Sequence, residues 1–244
     1  TEVAELLASV RAWDRAAGRT VHLPLSELRL AYRDSALKRS LTDPDVGAGR
    51  TWGPTGRWVV LSATFHVRQA SLSAPIAYRQ LAGALGVDMG ARVDAREVRE
   101  AVLALRRSKG MVLDADDHDT WSAGSFFTNP ILTRAAAAAL PEDAPRFPVT
   151  DHTRVVAGVQ DAPVVDGLVK TSAAWLIDHA GFPKGFAAPG ASGRARLSTR
   201  HVLALTNRGG ATAADVAALR DTIVAGVRER FGITLVPEPV AVGW

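Results

Sequence analysis

Cysteine is absent from the 244-residue chain, and tyrosine occurs only twice. Without thiols there are no disulfides, thiolate metal sites or cysteine nucleophiles, and a reducing compartment, the cytoplasm, is the expected location. Long apolar runs are missing too. No stretch approaches the ~20 residues that span a bilayer, and the opening TEVAELLASV lacks the basic, apolar and small-residue order of a signal peptide. A soluble protein without membrane contact is expected. The initiator methionine is also missing, and the sequence opens inside what reads as a structural element, so a fragment of a longer protein is expected.

Several catalytic signatures are absent: a Gly-rich dinucleotide fingerprint, a P-loop, a zinc-protease helix and a Gly-x-Ser-x-Gly elbow. The six histidines, His22, His66, His118, His152, His179 and His201, have no metal-ligand spacing, so no metal is expected. Charge is present but diffuse. The net charge is +4 and the pI about 9.9, yet the basic residues are scattered singly. Nucleic acid is therefore not an expected partner, whereas a small anion such as a diphosphate would be served by the same surplus.

What is present reads as a mixture of strands and helices without a regular βαβ repeat, which gives an α+β class rather than a doubly wound parallel sheet. ELLASVRAWDRAAGRTVHLPL fits a hairpin turning at AAGR, and PLSELRL one or two helical turns with Pro24 near the start. LTDPDVGAGRTWGPTG is a loop, and RWVVLSATFHV alternates as a strand. Asp94 and Glu97 have capping-box spacing for a helix whose Val98, Ala101, Val102 and Leu105 share a face and which ends at Gly110. TRAAAAALPED predicts a short helix stopped by Pro141, RVVAGVQDAPVVDG irregular and extended chain, and KTSAAWLIDHAG a helix capped by Ser172. RHVLALTN reads as a buried strand. TAADVAALRDTIVAGVRERFG reads as a long amphipathic helix with Thr212 and Asp215 as a second capping box.

Chemistry-bearing residues are sparse. DADDHD, residues 114–119, lacks the glycine turn and terminal glutamate of a calcium loop and reads as a solvated acidic loop. Tyr32 and Arg33 lie in AYRDSALK, where an arginine alone is most often a surface ion-pair partner. Glu238 in TLVPEPVAVG is held between two prolines that limit its backbone freedom. AGSFFTNPIL seats Ser125 between a glycine and two phenylalanines, a setting that keeps water away.

Taken together, YRDS with a lysine nearby, RRSKG, AGSFFTNP, SAAWLIDHAG, LSTRHVLALTNRGGATAADV and FGITLVPEPVAVG resemble one family, in order and across nearly the whole chain. They resemble UDP-N-acetylenolpyruvoylglucosamine reductase, a flavoenzyme of peptidoglycan synthesis. The resemblance implies that residues 1–108 are part of a second FAD-binding domain to which 232–244 return, and that 109–231 form an α/β substrate-binding domain. The first FAD-binding domain, with its Gly/Ser-rich diphosphate loop, would precede residue 1. The residues that bind the cofactor would lie mostly there, so this chain alone would hold flavin poorly. It further implies NADPH as co-substrate, UDP-N-acetylglucosamine enolpyruvate as substrate and a monomer.

By the same resemblance Arg33, Ser125 and Glu238 are catalytic: Arg33 grips the substrate carboxylate, Ser125 donates a proton to carbon, and Glu238 assists with a carboxyl raised in pKa by burial. Tyr32, Tyr78, Lys109, Asn129 and His201 match substrate contacts, with Tyr78 on a closing loop and His201 where some members carry glutamine. Three departures stand out. Thr128 replaces a common lysine, Pro239 a frequent valine, and APGASGRAR is an inserted Gly-rich surface loop. The competing expectation is a non-catalytic nucleotide-sugar-binding module that has lost its flavin domain. An intact proton donor argues against it.

Overall fold

The computed structural model describes residues 3–151 and 163–243, and its strands form three three-stranded sheets. Every strand pair among the described residues is antiparallel. Antiparallel neighbours need no helical crossover between them, so the chain is α+β as expected.

The first sheet grows from the expected hairpin. A turn of helix, α1 (Val3–Leu6), leads into β1 (Leu7–Asp14), which folds back on β2 (Arg19–Pro24). Pro24 then starts α2 (Leu25–Leu28), a single turn, whose Leu28 packs on Leu7 and Val10 in a small core. After α3 (Ala36–Arg39) the loop predicted over LTDPDVGAGRTWGPTG is found, pinned by the buried Trp52, whose Nε1 donates to Gly47 O at 2.7 Å. The strand β3 (Trp58–Phe65) completes the order β2-β1-β3. Its alternation made a correct strand, but neither face is buried: every residue after Trp58 is exposed.

Helices α4 (Arg79–Leu85) and α5 (Ala95–Ser108) pack together through Leu81, Ala82, Val98, Ala101 and Leu105. Two details of α5 differ from the sequence expectation. Asp94 accepts from Arg96 N rather than forming a reciprocal box with Glu97, and Val102 stays 36% exposed, because the partner helix is too short to cover a four-residue face. Lys109 caps the C-terminus and Gly110 leaves it at a φ of 69°.

The remaining elements surround the main core. They are β4 (Ser122–Ser125), β5 (Ile131–Thr133), α6 (Arg134–Ala138), β6 (Arg146–Thr150), β7 (Val164–Thr171), α7 (Ala173–His179), β8 (Ala195–Leu197), β9 (Ala204–Asn207) and α8 (Ala213–Phe231). The two sheets run β4-β9-β8 and β5-β7-β6. Of RVVAGVQDAPVVDG, residues 154–162 lie outside the described residues, as does His152, while the rest from Val164 onward is strand β7. The inserted APGASGRAR is not all loop, since its last residues enter β8, and the following Ser198–His201 is a turn rather than strand. Ser172 caps α7 by accepting from Trp175 N, and Thr212 with Asp215 forms the full capping box of α8, both as expected.

Leu219, Ile223 and Val227 recur at four-residue spacing on α8 and are essentially fully buried. They meet Leu176 and Ile177 of α7, Leu197 of β8, Leu205 of β9 and Phe127. Burying each such aliphatic side chain stabilises the fold by about 1.5–3 kcal/mol. Phe127 explains one half of the AGSFFTNPIL puzzle: its ring belongs to this core at 2% exposure, while Ser125 stays half-buried.

The acidic run 114–119 departs from its expected solvation at one residue. It folds into a short 3₁₀ turn, His118–Thr120, capped by Asp117, and Asp119 is only 6% exposed. Its carboxylate accepts from Thr199 N at 2.8 Å and from Thr199 Oγ1, and it pairs with Arg208 Nη2 at 3.1 Å. Burial opposes its charge, but the hydrogen bonds from Thr199 and Ser198 and the charge of Arg208 outweigh burial and hold the carboxyl below its usual range. At the far sheet, Asp14 is held low by a two-armed hydrogen bond from Arg57, with Nε and Nη2 at 2.9 and 2.7 Å.

Two outcomes follow from these contacts. Gly226→Ala should gain ~1 kcal/mol of helix propensity, yet its Cβ would stand 2.3 Å from Phe182 Cζ. A net loss of about 1–3 kcal/mol is expected in urea unfolding. Because Asp14 and Asp119 both have depressed folded pKa values, their contribution is complete above the unfolded value near 3.8 and is lost as pH falls through the lower folded values. Unfolding midpoints should therefore drop below that pH, and Asp119→Asn should lose about 1.5–3 kcal/mol at neutral pH while weakening that drop.

Candidate functional site

The site begins at a tight turn. Ala31 and Asp34 exchange backbone hydrogen bonds at 3.0 and 3.1 Å, which forces the two residues between them to reverse the chain. Arg33 accordingly takes a φ of 54°, in the left-handed region that costs a non-glycine residue about 1–3 kcal/mol. Lys38, one turn into α3, donates from Nζ to Arg33 O at 3.1 Å and holds the turn from behind. Asp34 is ion-paired with Arg39. The result aims the Tyr32 and Arg33 side chains away from the small core and toward the other half of the chain.

Two segments from that half meet them. Residues 126–128 pair with 236–238: Glu238 N donates to Phe126 O at 2.8 Å, Thr128 N donates to Val236 O at 3.0 Å, and Phe127 and Pro237 form an isolated bridge. Pro237 contributes no N–H, and the bonds run on either side of it, so the backbone of Glu238 is held by its own N–H on Phe126. Arg33 Nε then donates to Glu238 Oε2 at 2.8 Å across a sequence separation of 205 residues. Glu238 is not buried as expected. Its side chain is 36% exposed, and that of Arg33 51%, so the carboxylate is met by a guanidinium rather than by an apolar wall.

Asn129 is committed on two sides. Its backbone N–H donates to the Tyr32 hydroxyl at 3.1 Å, and its side-chain Oδ1 accepts from Ala173 N at 2.9 Å at the start of α7. Of its side-chain groups the amide N–H₂ is what it offers a ligand. Tyr32 is bracketed by cations: the Lys170 Nζ lies 4.5 Å, and the Arg33 guanidinium carbon 5.4 Å, from its ring centroid.

Ser125 and His201 form a second group. Ser125 Oγ lies 3.3 Å from His201 Nε2. His201 is placed by the turn Ser198–His201, in which Ser198 Oγ accepts from the backbone N–H groups of Arg200 and His201 and Thr199 is anchored on Asp119. Burial, then the charges of Lys109 and Lys184, push the imidazole below its ordinary value of 6.5. Lys109 reaches the other way as well, donating from Nζ to Gln80 Oε1 at 2.8 Å. Ser125 thus stands one residue from Phe126, whose carbonyl fixes Glu238.

Two open depressions flank the Arg33–Glu238 pair. One, of about 720 Å³, mixes apolar Leu30, Ala31 and Val240 with charged Arg33, Lys38 and Glu238, and Tyr78 stands at its rim, 63% exposed. The other, of about 620 Å³, runs along Tyr32, Lys38, Thr128 and Asn129 to Ile233. The structure therefore gathers Tyr32, Arg33, Tyr78, Asn129 and Glu238 around two hollows that share Tyr32, Arg33 and Lys38, while Ser125, His201 and Lys109 form a cluster outside their lining. Among the described residues no cluster of metal-ligating side chains occurs, and no helix is long and apolar enough to cross a membrane.

Sequence reasoning missed Asp119 and Lys170. Asp119 was hidden in an acidic run that carries no local sign of which carboxylate turns inward. Lys170 of β7 pairs with Ile131 of β5, a pairing invisible in the sequence, and its Nζ lies over the Tyr32 ring.

Comparison with known proteins bears on this arrangement. Residues 116–242 match the family described as UDP-N-acetylenolpyruvoylglucosamine reductase, C-terminal domain. The UDP-N-acetylenolpyruvoylglucosamine reductase of Streptomyces avermitilis is 49% identical over 243 residues, covering 99% of this chain and 60% of that protein. Its counterpart in Nocardia farcinica is 51% identical over 242 residues, covering 99% of this chain and 57% of that protein. The chain thus spans about 60% of the length of the curated relatives it matches. A crystal structure of UDP-N-acetylenolpyruvylglucosamine reductase from Thermus caldophilus aligns over 97% of this chain and 53% of its own at 18% identity, with a TM-score of 0.44 too low to carry an argument. With a family match over residues 116–242 and near-half identity to relatives across 99% of its length, the chain belongs to the UDP-N-acetylenolpyruvoylglucosamine reductase family.

Proposed function

We propose that this chain carries the substrate-side machinery of an NADPH-dependent flavoenzyme that reduces UDP-N-acetylglucosamine enolpyruvate to UDP-N-acetylmuramate for cytoplasmic peptidoglycan synthesis. The observation that carries the reading is the Arg33–Glu238 pair, drawn together from 205 residues apart and bonded through Phe126 to the strand of Ser125. A binding surface alone has no use for an arginine and a glutamate tied through Phe126 to the strand that carries a serine hydroxyl.

The 720 Å³ hollow supports the fit of the cofactor's ring system, because apolar Leu30, Ala31 and Val240 share it with charged Arg33 and Glu238. In this reading residues 1–108 with 232–244 belong to a flavin-binding unit and 109–231 to a substrate-binding unit, and the working protein is a monomer. FAD, when bound and reduced by NADPH, would supply the hydride that the terminal vinyl carbon of the enolpyruvyl ether needs. The chain's own residues manage the charge and the proton that follow.

Negative charge collects on the inner vinyl carbon and its carboxylate. Arg33 stabilises it with a guanidinium that never loses its proton and whose plane is set by the Glu238 contact. Ser125 transfers its hydroxyl proton to the inner carbon, forming the carbon–hydrogen bond. Lys109, Tyr78, Asn129 through its amide N–H₂, and Tyr32 orient the nucleotide sugar, with Lys109 placing positive charge for the diphosphate. Lys170, close to the Tyr32 ring, restores a cation near the segment where Thr128 replaces the family's lysine.

Tests require the full-length protein. Ser125→Ala should lower product formation about 10²–10⁴-fold while NADPH still bleaches the flavin; equal loss of both half-reactions removes the proton-donor role. Arg33→Lys should lower kcat/KM about 10²–10³-fold, since a point charge cannot replace the planar fork. A full-length protein that purifies colourless and takes up no FAD would favour the alternative of a non-catalytic nucleotide-sugar-binding module.

A further inference from the structure

We propose that His201 is the positioning residue of Ser125: it donates its Nε2 hydrogen to the serine oxygen, turns the serine's own proton toward the substrate, and returns a proton once that one has been given away. The proposal rests on the reading of Ser125 as the proton donor, and it replaces the sequence expectation that His201 serves mainly to touch substrate.

The direction of one hydrogen bond carries the argument. Ser125 Oγ and His201 Nε2 are 3.3 Å apart. Were the imidazole the acceptor, the serine hydrogen would lie on the line between the two residues and could not point at a carbon. The hydroxyl has one hydrogen and two lone pairs, so a serine that protonates carbon must receive from His201 rather than give to it. That requires the hydrogen on Nε2 and leaves Nδ1 with a lone pair, the arrangement in which one ring nitrogen faces the serine while the other can take up a proton.

The surroundings favour a ring that is neutral at rest. Burial and the facing cations Lys109 and Lys184 disfavour the imidazolium. The two acids tied to the turn that carries His201 have cations of their own: Asp117 is paired with Arg200 at 2.7 Å, and Asp119 with Arg208 besides its bonds from Thr199. Ser198 Oγ accepts from the His201 backbone N–H, which leaves the ring to face Ser125.

Transfer of the Ser125 hydroxyl proton to the inner vinyl carbon leaves an alkoxide beside the imidazole. That new negative charge raises the basicity of the ring, Nδ1 takes a proton from water, and the Nε2 hydrogen passes to Oγ. The hydroxyl is restored, one solvent proton is consumed for each carbon–hydrogen bond formed, and the ring regains its first tautomer by exchange with water.

The test uses the flavin-loaded full-length protein and two readouts. Nitrogen NMR of the imidazoles, needing no turnover, should show the His201 proton on Nε2 at neutral pH, with titration below 6.5. A bare Nε2 would overturn the proposal. In the second readout, His201→Gln, which keeps an N–H donor but cannot pass a proton through, should leave the first turnover from pre-reduced flavin near the native rate, because that turnover spends a proton already on Ser125, and should slow steady-state turnover with NADPH about tenfold or more. Unchanged steady-state turnover would overturn the relay while leaving the reductase reading intact. A native protein that forms no product at any pH would overturn both.

Discussion

Glu238 is gripped twice, its backbone N–H by the carbonyl of Phe126 and its carboxylate by Arg33, each at 2.8 Å. The rest of the site is arranged around that double hold. The first contact ties it to the strand of Ser125 and, through Phe127, to the main core; the second ties it to a turn built on a separate small core. A guanidinium and a carboxylate this exposed contribute little to stability as a pair. Their role is registration: they bring a left-handed turn and a proline-flanked segment to one place.

Support for that registration comes from two unlike sources. On one side it is dry packing, with Phe127 locked among Leu176, Ile177 and Ile223, and Asn129 serving as an acceptor for the first turn of α7. On the other it is a buried polar cluster in which Asp119 holds the turn that presents His201. Packing tolerates small shifts poorly and fixes Ser125 firmly. The polar cluster fixes angles instead, and with them the direction in which the His201 ring faces Ser125.

Local signals in the sequence carried the reading of the elements. The cap at Ser172, the box at Thr212 and Asp215, and the glycines that follow α5, α7 and α8 are short-range effects, legible without knowledge of the tertiary context. The candidate site residues were recognisable only through a family resemblance, since Arg33, Ser125 and Glu238 taken singly have no pattern. Long-range effects were the ones misread. Whether Asp119 turns inward depends on Thr199, 80 residues away. Whether Glu238 is buried or paired depends on the turn that Arg33 adopts. Whether β3 buries a face depends on what packs on its sheet, and alternation along a strand cannot say that.

The distance along the chain between Arg33 and Glu238 also sets an order in time. At about 5–20 residues per second of synthesis, the 205 residues that separate them take about 10–40 s to make. For that interval the strained turn at Arg33 exists without the carboxylate that gives its side chain a direction. Ile233 and Leu235 enter the main core in the same last stretch, so the arrival of Glu238 coincides with closure of the core. Translation that stops short of it yields a chain with most of its secondary structure and no assembled site, its Arg33 turn left to relax.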